Sequence, residues 1–342
     1  MRQERIRRFV SLGLLFILIL IFGATSEFFL TKENIFTLLR EAAVPGILAV
    51  GVTFVIITAG IDLSTGALVA LIAMICANFL YYTYIPVPVI LLVGALAGAL
   101  AGCFNGFLVS KLKLPDFIAT LSTMGIFRGL TLILAIRENN VISNKVIRDP
   151  DFIILGGHIN GLYIATIVFI AVAIIGQFIL KKTKFGIYTY SVGANRKSAE
   201  LSGINADKIK VLVYMISGIC CSLGAVFLAA KMQTATPEMG IGLEFDVIAA
   251  VVVGGCAFNG GRGDVFGSVI GALFMAVLTN GLYKYNFPTA FQIIIKGVVI
   301  VAMVIFDSVY QNIMEDRKRK ASKLEEMPKE AVTAEMGGAS NA

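Results

Sequence analysis

The sequence predicts an all-α, polytopic membrane protein with about ten transmembrane helices and an inverted internal repeat. Composition supports this fold class, because 57% of the 342 residues are hydrophobic and only 15% are charged. Soluble domains have about 45–50% apolar and about 25% charged residues, so a soluble core could not bury this much apolar surface. The spacing of the apolar segments then sets the number of helices.

Apolar segments follow one another along most of the chain, and a membrane-crossing helix takes about 20 apolar residues. The second and eighth segments are short, so each is predicted to be a half-helix or to gain length from flanking residues. Residues 36–39 could extend the second. The ten predicted segments are 9–24, 44–59, 63–81, 87–109, 117–136, 162–180, 209–230, 245–257, 265–282 and 290–306.

The distribution of Lys and Arg predicts how these segments are oriented, because basic residues concentrate on the cytoplasmic side. With ten crossings and a cytoplasmic N-terminus, 20 of the 29 basic residues lie in cytoplasmic regions and 7 in external loops. We therefore predict a multi-pass protein of the bacterial inner membrane with both termini in the cytoplasm. Residues 1–310 would form the transmembrane domain, with 181–208 as a cytoplasmic loop and 311–342 as a disordered cytoplasmic tail.

Two segments share a pattern of glycines four residues apart, then an Asn-Gly pair, then a proline 21 residues after the first glycine. They lie on the fourth and ninth predicted spans, so the two copies would cross the membrane in opposite directions. Inverted repeats of this kind are typical of transporters, although Gly- and Ala-rich helices also resemble one another by chance. The matching positions are Gly94, Gly98, Asn105 and Pro115 in one copy and Gly267, Gly271, Asn280 and Pro288 in the other.

Polar residues within the apolar segments are the candidates for a translocation pathway, because polar groups in a bilayer are costly and are usually functional. Asp62 and Ser64 lie between the second and third spans, where they would cap a helix or mark a broken helix that faces a substrate. Asn105, Asn280 and Gln292 carry both donors and acceptors. These amides suit a neutral polyhydroxy solute and equally suit hydrogen bonds between helices.

Several classes of chemistry are not predicted. His158 is the only histidine, and the five cysteines lie in apolar runs without metal-ligand spacing, so we predict neither a metal site nor a cofactor. The glycine-rich run 254–263 lacks the Lys-Ser/Thr that completes a phosphate-binding loop. The chain is therefore predicted not to be an enzyme. Its basic residues orient a membrane protein and do not indicate nucleic-acid binding.

The predicted cytoplasmic loop 181–208 contains a short helix over residues 195–201. Asn195 has the side chain of a helix N-cap, and Gly203 suits the stop that follows a helix. Small residues on such a helix would permit close docking of another protein. The alternative is a solvated basic loop.

Three motifs together carry a family resemblance that covers about residues 10–310. The chain resembles the permease subunit of ribose-type ABC sugar importers, a family that includes ribose, xylose and galactose permeases. The motifs are Gly60-Ile61-Asp62-Leu63-Ser64 with Gly66, then the loop from Phe185-Gly186 to Gly203-Ile204, then Glu244, Asp246, Ile248 and Ala250 followed by Gly254-Gly255 and Gly260-Gly261-Arg262-Gly263.

The resemblance implies a function and a set of partners. It implies import of a monosaccharide, ribose-like or related, through two permease copies that work with a separate ABC ATPase and an extracytoplasmic sugar-binding protein. It also implies that the 186–204 loop couples to the ATPase. Ile187 and Ser198 depart from the family pattern, which often has arginine and alanine there. The implied coupling residues are Gly186, Ala194, Asn195, Ala199, Glu200 and Gly203.

The main alternative is a secondary transporter of a small polar solute that is driven by an ion gradient. Such proteins also have inverted repeats and broken helices. In that case Asp62 or Asp246 would be the coupling carboxylate. A membrane enzyme is a third possibility, but no His, Cys or Ser in the sequence has the partners that catalysis needs.

Overall fold

A computed structural model of the chain describes residues 2–82, 85–136, 141–305 and 309, with side chains from Val10 onwards. The predicted tail, 311–342, lies outside the described residues. The chain divides into two units, Met1–Lys296 and Gly297–Ala342. All the contacts described below belong to the first unit.

The elements confirm the predicted all-α class, with a helix at each of the ten apolar segments. In chain order the helices are α1 (Arg2–Thr25), α2 (Lys32–Ile57), α3 (Thr65–Tyr82), α4 (Val87–Ser110), α5 (Asp116–Ala135), α6 (Pro150–Ile153), α7 (Ile164–Lys182), α8 (Lys184–Ala194), α9 (Arg196–Leu201), α10 (Ala206–Met232), α11 (Leu243–Val253), α12 (Val265–Lys284) and α13 (Thr289–Ile305). The strands are β1 (Lys145–Val146), β2 (His158–Ile159), β3 (Leu162–Tyr163) and β4 (Thr234–Ala235).

Helix length separates full spans from shorter pieces. Within the described residues, seven helices are long and apolar enough to cross a membrane: α2, α3, α4, α5, α7, α10 and α12. The chain is thus a multi-pass membrane protein. The second predicted segment gains length from flanking residues, because α2 has 26 residues. The eighth is a half-helix, because the 11 residues of α11 rise only about 16 Å.

The bundle has two distinct ends, which we name by the elements they carry. The α9 end carries α8 and α9, and Lys111, which follows α4, pairs there with Asp207 of α10 at 3.1 Å. The hairpin end carries the β2–β3 hairpin and the antiparallel β1–β4 pair. Residues 233–242 lead back from the hairpin end, so that α11 begins inside the bundle and ends at the α9 end. This non-helical stretch completes the crossing that α11 is too short to make.

The inner helices pack in a pattern that supports the predicted inverted repeat. α2 and α10 pack against each other at the centre. The other contacts correspond in pairs. α2 packs on α11 and α12, and α10 correspondingly packs on α3 and α4. In the same way, α3 packs on α4 and α11 packs on α12. The outer helices depart from the pattern, since α1 packs on α12 whereas α7 packs on α2.

Candidate functional site

A cavity of about 560 Å³ lies between the hairpin-end halves of α2, α10 and α12 and the first turns of α11 and α13. Opposite charges are paired along its wall. Lys231 Nζ lies 2.8 Å from Glu41 Oε1, and Lys296 Nζ lies 2.8 Å from Asp246 Oδ2. With Arg40, which also lines the cavity and lies 3.4 Å from Glu41 Oε1, the wall carries three cationic and two anionic side chains, so its net charge is small and it presents both donors and acceptors. Such a surface suits a neutral solute rich in hydroxyl groups.

Two of the predicted pathway residues, Asn280 and Gln292, line this cavity. The Asn280 amide also exchanges hydrogen bonds with Asn34 of α2, at 3.1 and 3.2 Å. Asn280 therefore makes the hydrogen bond between helices that the sequence allowed, while contact with a solute stays a prediction. Gln292 donates from Nε2 to the carbonyl oxygen of Phe287 at 2.9 Å.

The other three predicted residues, Asp62, Ser64 and Asn105, come together elsewhere, at the non-helical segment 58–64 between α2 and α3. Asp62 Oδ1 accepts from Ser64 N at 3.0 Å and from Ser64 Oγ at 2.6 Å. Its Oδ2 accepts from Ser217 Oγ at 2.9 Å, and Asn105 Nδ2 donates to Ser64 Oγ at 2.8 Å. All four side chains are buried. Asp62 thus fixes the residue just before α3 in the non-helical segment that separates α2 from α3, and a substrate path at this helix end stays a prediction.

An ion pair that the sequence did not predict, between a buried lysine and a partly exposed aspartate, holds the same segment. Lys210 Nζ of α10 lies 2.9 Å from Asp116 Oδ2 of α5 and donates to the carbonyl oxygen of Thr58 at 3.0 Å. Tyr214 donates its hydroxyl to the same Asp116 oxygen at 2.9 Å and lies 3.0 Å from the carbonyl oxygen of Ile61. The sequence carried a signal for this cluster, because residues 210, 214 and 217 fall on one face of a helix at spacings of four and three.

The first turns of α3 and α11 meet inside the bundle. A side chain at Gly66 would collide with the carbonyl oxygen of Gly240 and with the Glu244 carboxylate, so this contact depends on glycine. Arg128 of α5 holds the approach to α11, donating from Nη1 to the carbonyl oxygens of Pro237 at 2.6 Å and Met239 at 2.8 Å. The N-termini of helices carry partial positive charge, which favours the acidic Glu244 at this position.

The α8–α9 segment has the local structure that the sequence predicts. Asn195 caps α9, its Oδ1 accepting from Ser198 N at 3.0 Å. Gly203 follows α9 with φ +81°, a backbone conformation that favours glycine. Glu200 forms a salt bridge with Arg196 at 2.9 Å.

The surface of this segment differs from the predicted set of coupling residues. Gly186 and Ala199 are buried, so they can support a docking surface only by shaping it. The other four predicted coupling residues, Ala194, Asn195, Glu200 and Gly203, are exposed. Leu201, which the sequence did not single out, is 90% exposed and is the most exposed large hydrophobic side chain that the structure describes.

A family model described as "Branched-chain amino acid transport system / permease component" matches residues 34–304. The chain belongs to this permease family. The permease is 40% identical to the ribose import permease protein of Bacillus subtilis, over 86% of this chain and 90% of that protein. It is 37% identical to the ribose import permease protein of Haemophilus influenzae, over 88% of this chain and 92% of that protein.

A third relative of the permease is the D-allose transport system permease protein of Escherichia coli. The two are 35% identical, over 86% of this chain and 89% of that protein. No solved structure matches the permease.

Proposed function

We propose that this permease is the membrane-spanning subunit of an ABC importer for a monosaccharide, ribose-like or related. The observation that carries the proposal is its 40% identity, over 86% of the chain, to a ribose import permease. The paired charges and amides of the 560 Å³ cavity support a neutral polyhydroxy substrate. Residues 1–310 would form the transmembrane domain, in a bacterial inner membrane with both termini in the cytoplasm.

The proposed partners are a separate ABC ATPase, an extracytoplasmic sugar-binding protein, a second copy of the permease, and the membrane lipid around the two permeases. ATP hydrolysis would belong to the ATPase. The α8–α9 segment is the proposed coupling site, with Ala194, Asn195, Glu200, Leu201 and Gly203 on its surface and the buried Gly186 and Ala199 shaping it. The α9 end would then face the cytoplasm and the cavity would face the external side.

In this mechanism the permease supplies a weak, transient polar path while the binding protein supplies most of the affinity for sugar. A ligand shifts a conformational equilibrium only by its differential affinity for the two states. Here that ligand is ATP, which acts on the ATPase, and the docked α8–α9 segment carries the resulting motion into the bundle. As the sugar passes, the paired charged groups at the cavity would form hydrogen bonds with its hydroxyl groups in place of those with one another.

Reconstitution in liposomes tests the proposed function. The permease, an ABC ATPase and a sugar-binding protein from a ribose importer are combined, and uptake of labelled D-ribose, D-allose and D-xylose is measured. We expect uptake of at least one sugar when ATP is supplied on the side of the membrane that carries the ATPase. This uptake should persist when ionophores remove the proton and sodium gradients. Uptake that continues without ATP but stops with the ionophores would instead show an ion-driven transporter.

A further inference from the structure

Segment 58–64 is joined to the α8–α9 segment through glycine contacts at the α9 end. A side chain at Gly193 of α8 would collide with the carbonyl oxygen of Ile57, and Gly261 N donates to that same oxygen at 2.8 Å. A Cβ at Gly260 would lie 2.8 Å from Ala59 N. The end of α8, the end of α2 and the glycine-rich loop therefore pack backbone against backbone.

On its other side, segment 58–64 is held by buried side chains of α5 and α10. Lys210 and Tyr214 contact its carbonyl oxygens at Thr58 and Ile61, as described above. Thr120 of α5 donates a further hydrogen bond to Ile61 O at 3.2 Å. The ion pair with Asp116 leaves Lys210 only 7% exposed. Because the buried Lys210 contacts both Asp116 and the Thr58 carbonyl oxygen, it attaches the segment to α5 and α10.

Beyond the segment, the contacts continue to the cavity. Ser64 directly precedes α3, and the first turn of α3 meets the approach to α11 at Gly66 and Gly240. Leu243 and Asp246, in the first turns of α11, line the cavity. A contiguous series of packed groups thus runs from α8 through segment 58–64 and α3 to the cavity wall, which is the kind of network that carries coupling between sites.

We propose that segment 58–64 transmits the displacement of the α8–α9 segment to the cavity, and that Lys210 is the positioning residue that keeps it attached to α5 and α10. This inference rests on the proposed function. If Lys210 is lost, the α8–α9 segment still moves and the ATPase still turns over, but the first turns of α3 and α11 no longer follow. ATP is then hydrolysed without sugar being moved.

The test uses Lys210→Met in the complete liposome importer described above, with ATP hydrolysed per sugar imported as the readout. We expect this ratio to rise about tenfold, within the range of about 5- to 150-fold typical of coupling between sites. Lys208→Met is the matched control, because Lys208 is exposed two residues away on the same helix, and its ratio should equal that of the wild type. A merely structural role for Lys210 would lower the amount of assembled importer without changing the ratio.

A second variant keeps the test decisive if Lys210→Met does not assemble. Lys210→Met combined with Asp116→Asn removes both charges of the pair and leaves neither without its partner, which is tolerated far better than removing one. An unchanged ratio in whichever variant assembles overturns the inference. If neither variant assembles, cysteine labelling of segment 58–64 decides. Ala59 is an exposed position of the segment, and the reaction rate of Ala59→Cys with a maleimide should change when the ATPase binds ATP. An unchanged rate overturns the inference. Absence of ATP-driven uptake by the wild type would overturn the proposed function itself.

Discussion

Gly102 shows how much one residue contributes to the central packing. It lies on α4 where a side chain would collide with the carbonyl oxygen of Tyr214 on α10. We expect Gly102→Ala to destabilise the permease by about 1–3 kcal/mol, the usual cost of overpacking. Gly129→Ala is the matched control on α5, where nothing lies within 4 Å of the added Cβ, and it should be neutral or stabilising by up to about 1 kcal/mol. Thermal unfolding in detergent measures both, and equal unfolding temperatures for the two variants would contradict the packing argument.

Single residues were predicted well where the local sequence is enough. Asn195 and Gly203 were assigned as cap and stop of α9 from residue type and spacing, and both assignments are confirmed. Asp62 and Asn105 were predicted as buried polar residues, but not as partners of the same Ser64 hydroxyl, since that arrangement arises only when α4 packs beside segment 58–64. Lys210 was not singled out at the start of the predicted span 209–230, because its pairing with Asp116 depends on the tertiary structure.

At the scale of an element, α9 ends in an exposed apolar side chain that a docked protein could cover. Leu201 is 90% exposed at its end, next to the exposed Glu200. If α9 docks on the ATPase, we expect Leu201→Asp to weaken that association by about 2 kcal/mol, roughly thirtyfold in affinity, as for a central interface residue. Pull-down of the ATPase with the purified permease, titrated over ATPase concentration, measures the effect.

The control for this substitution is Leu112→Asp. Leu112 is 55% exposed between α4 and α5, at the same end of the bundle but outside the α8–α9 segment. We expect the control to bind the ATPase as the wild type does. Normal binding by Leu201→Asp, with both variants folded, would remove Leu201 from the docking surface.

The helices were predicted from the lengths of the apolar segments. For two short segments, length did not decide between a half-helix and a longer helix. The short second segment became a full helix because residues before it, from Lys32, continue α2 through Pro45. The short eighth segment became the half-helix α11, because it is preceded by the glycines at 240 and 242, both with positive φ. Those glycines turn the chain before the helix can begin.

At the scale of the whole molecule, the repeat was predictable for its inner helices only. The Gly, Asn and Pro pattern marks α4 and α12, and their packing partners are related as an inverted repeat requires. The matched Asn residues nevertheless differ in use, since Asn105 bonds to Ser64 while Asn280 bonds to Asn34. The placement of α1 and α7 depends on apolar surfaces without a distinctive sequence pattern, so it could not be predicted.

The orientation of the molecule in the membrane is the prediction on which docking of the ATPase depends. Ser198 lies on α9 and Ile159 on the hairpin, and both side chains are exposed at opposite ends of the bundle. Because basic residues favour the cytoplasmic side, we expect a membrane-impermeant maleimide to label Ile159→Cys in intact spheroplasts and Ser198→Cys only after lysis. The unsubstituted chain is the control for its own cysteines, of which Cys103 is partly exposed and the others are buried. Labelling of Ser198→Cys in intact spheroplasts would put α9 outside the cell, beyond the reach of any cytoplasmic ATPase.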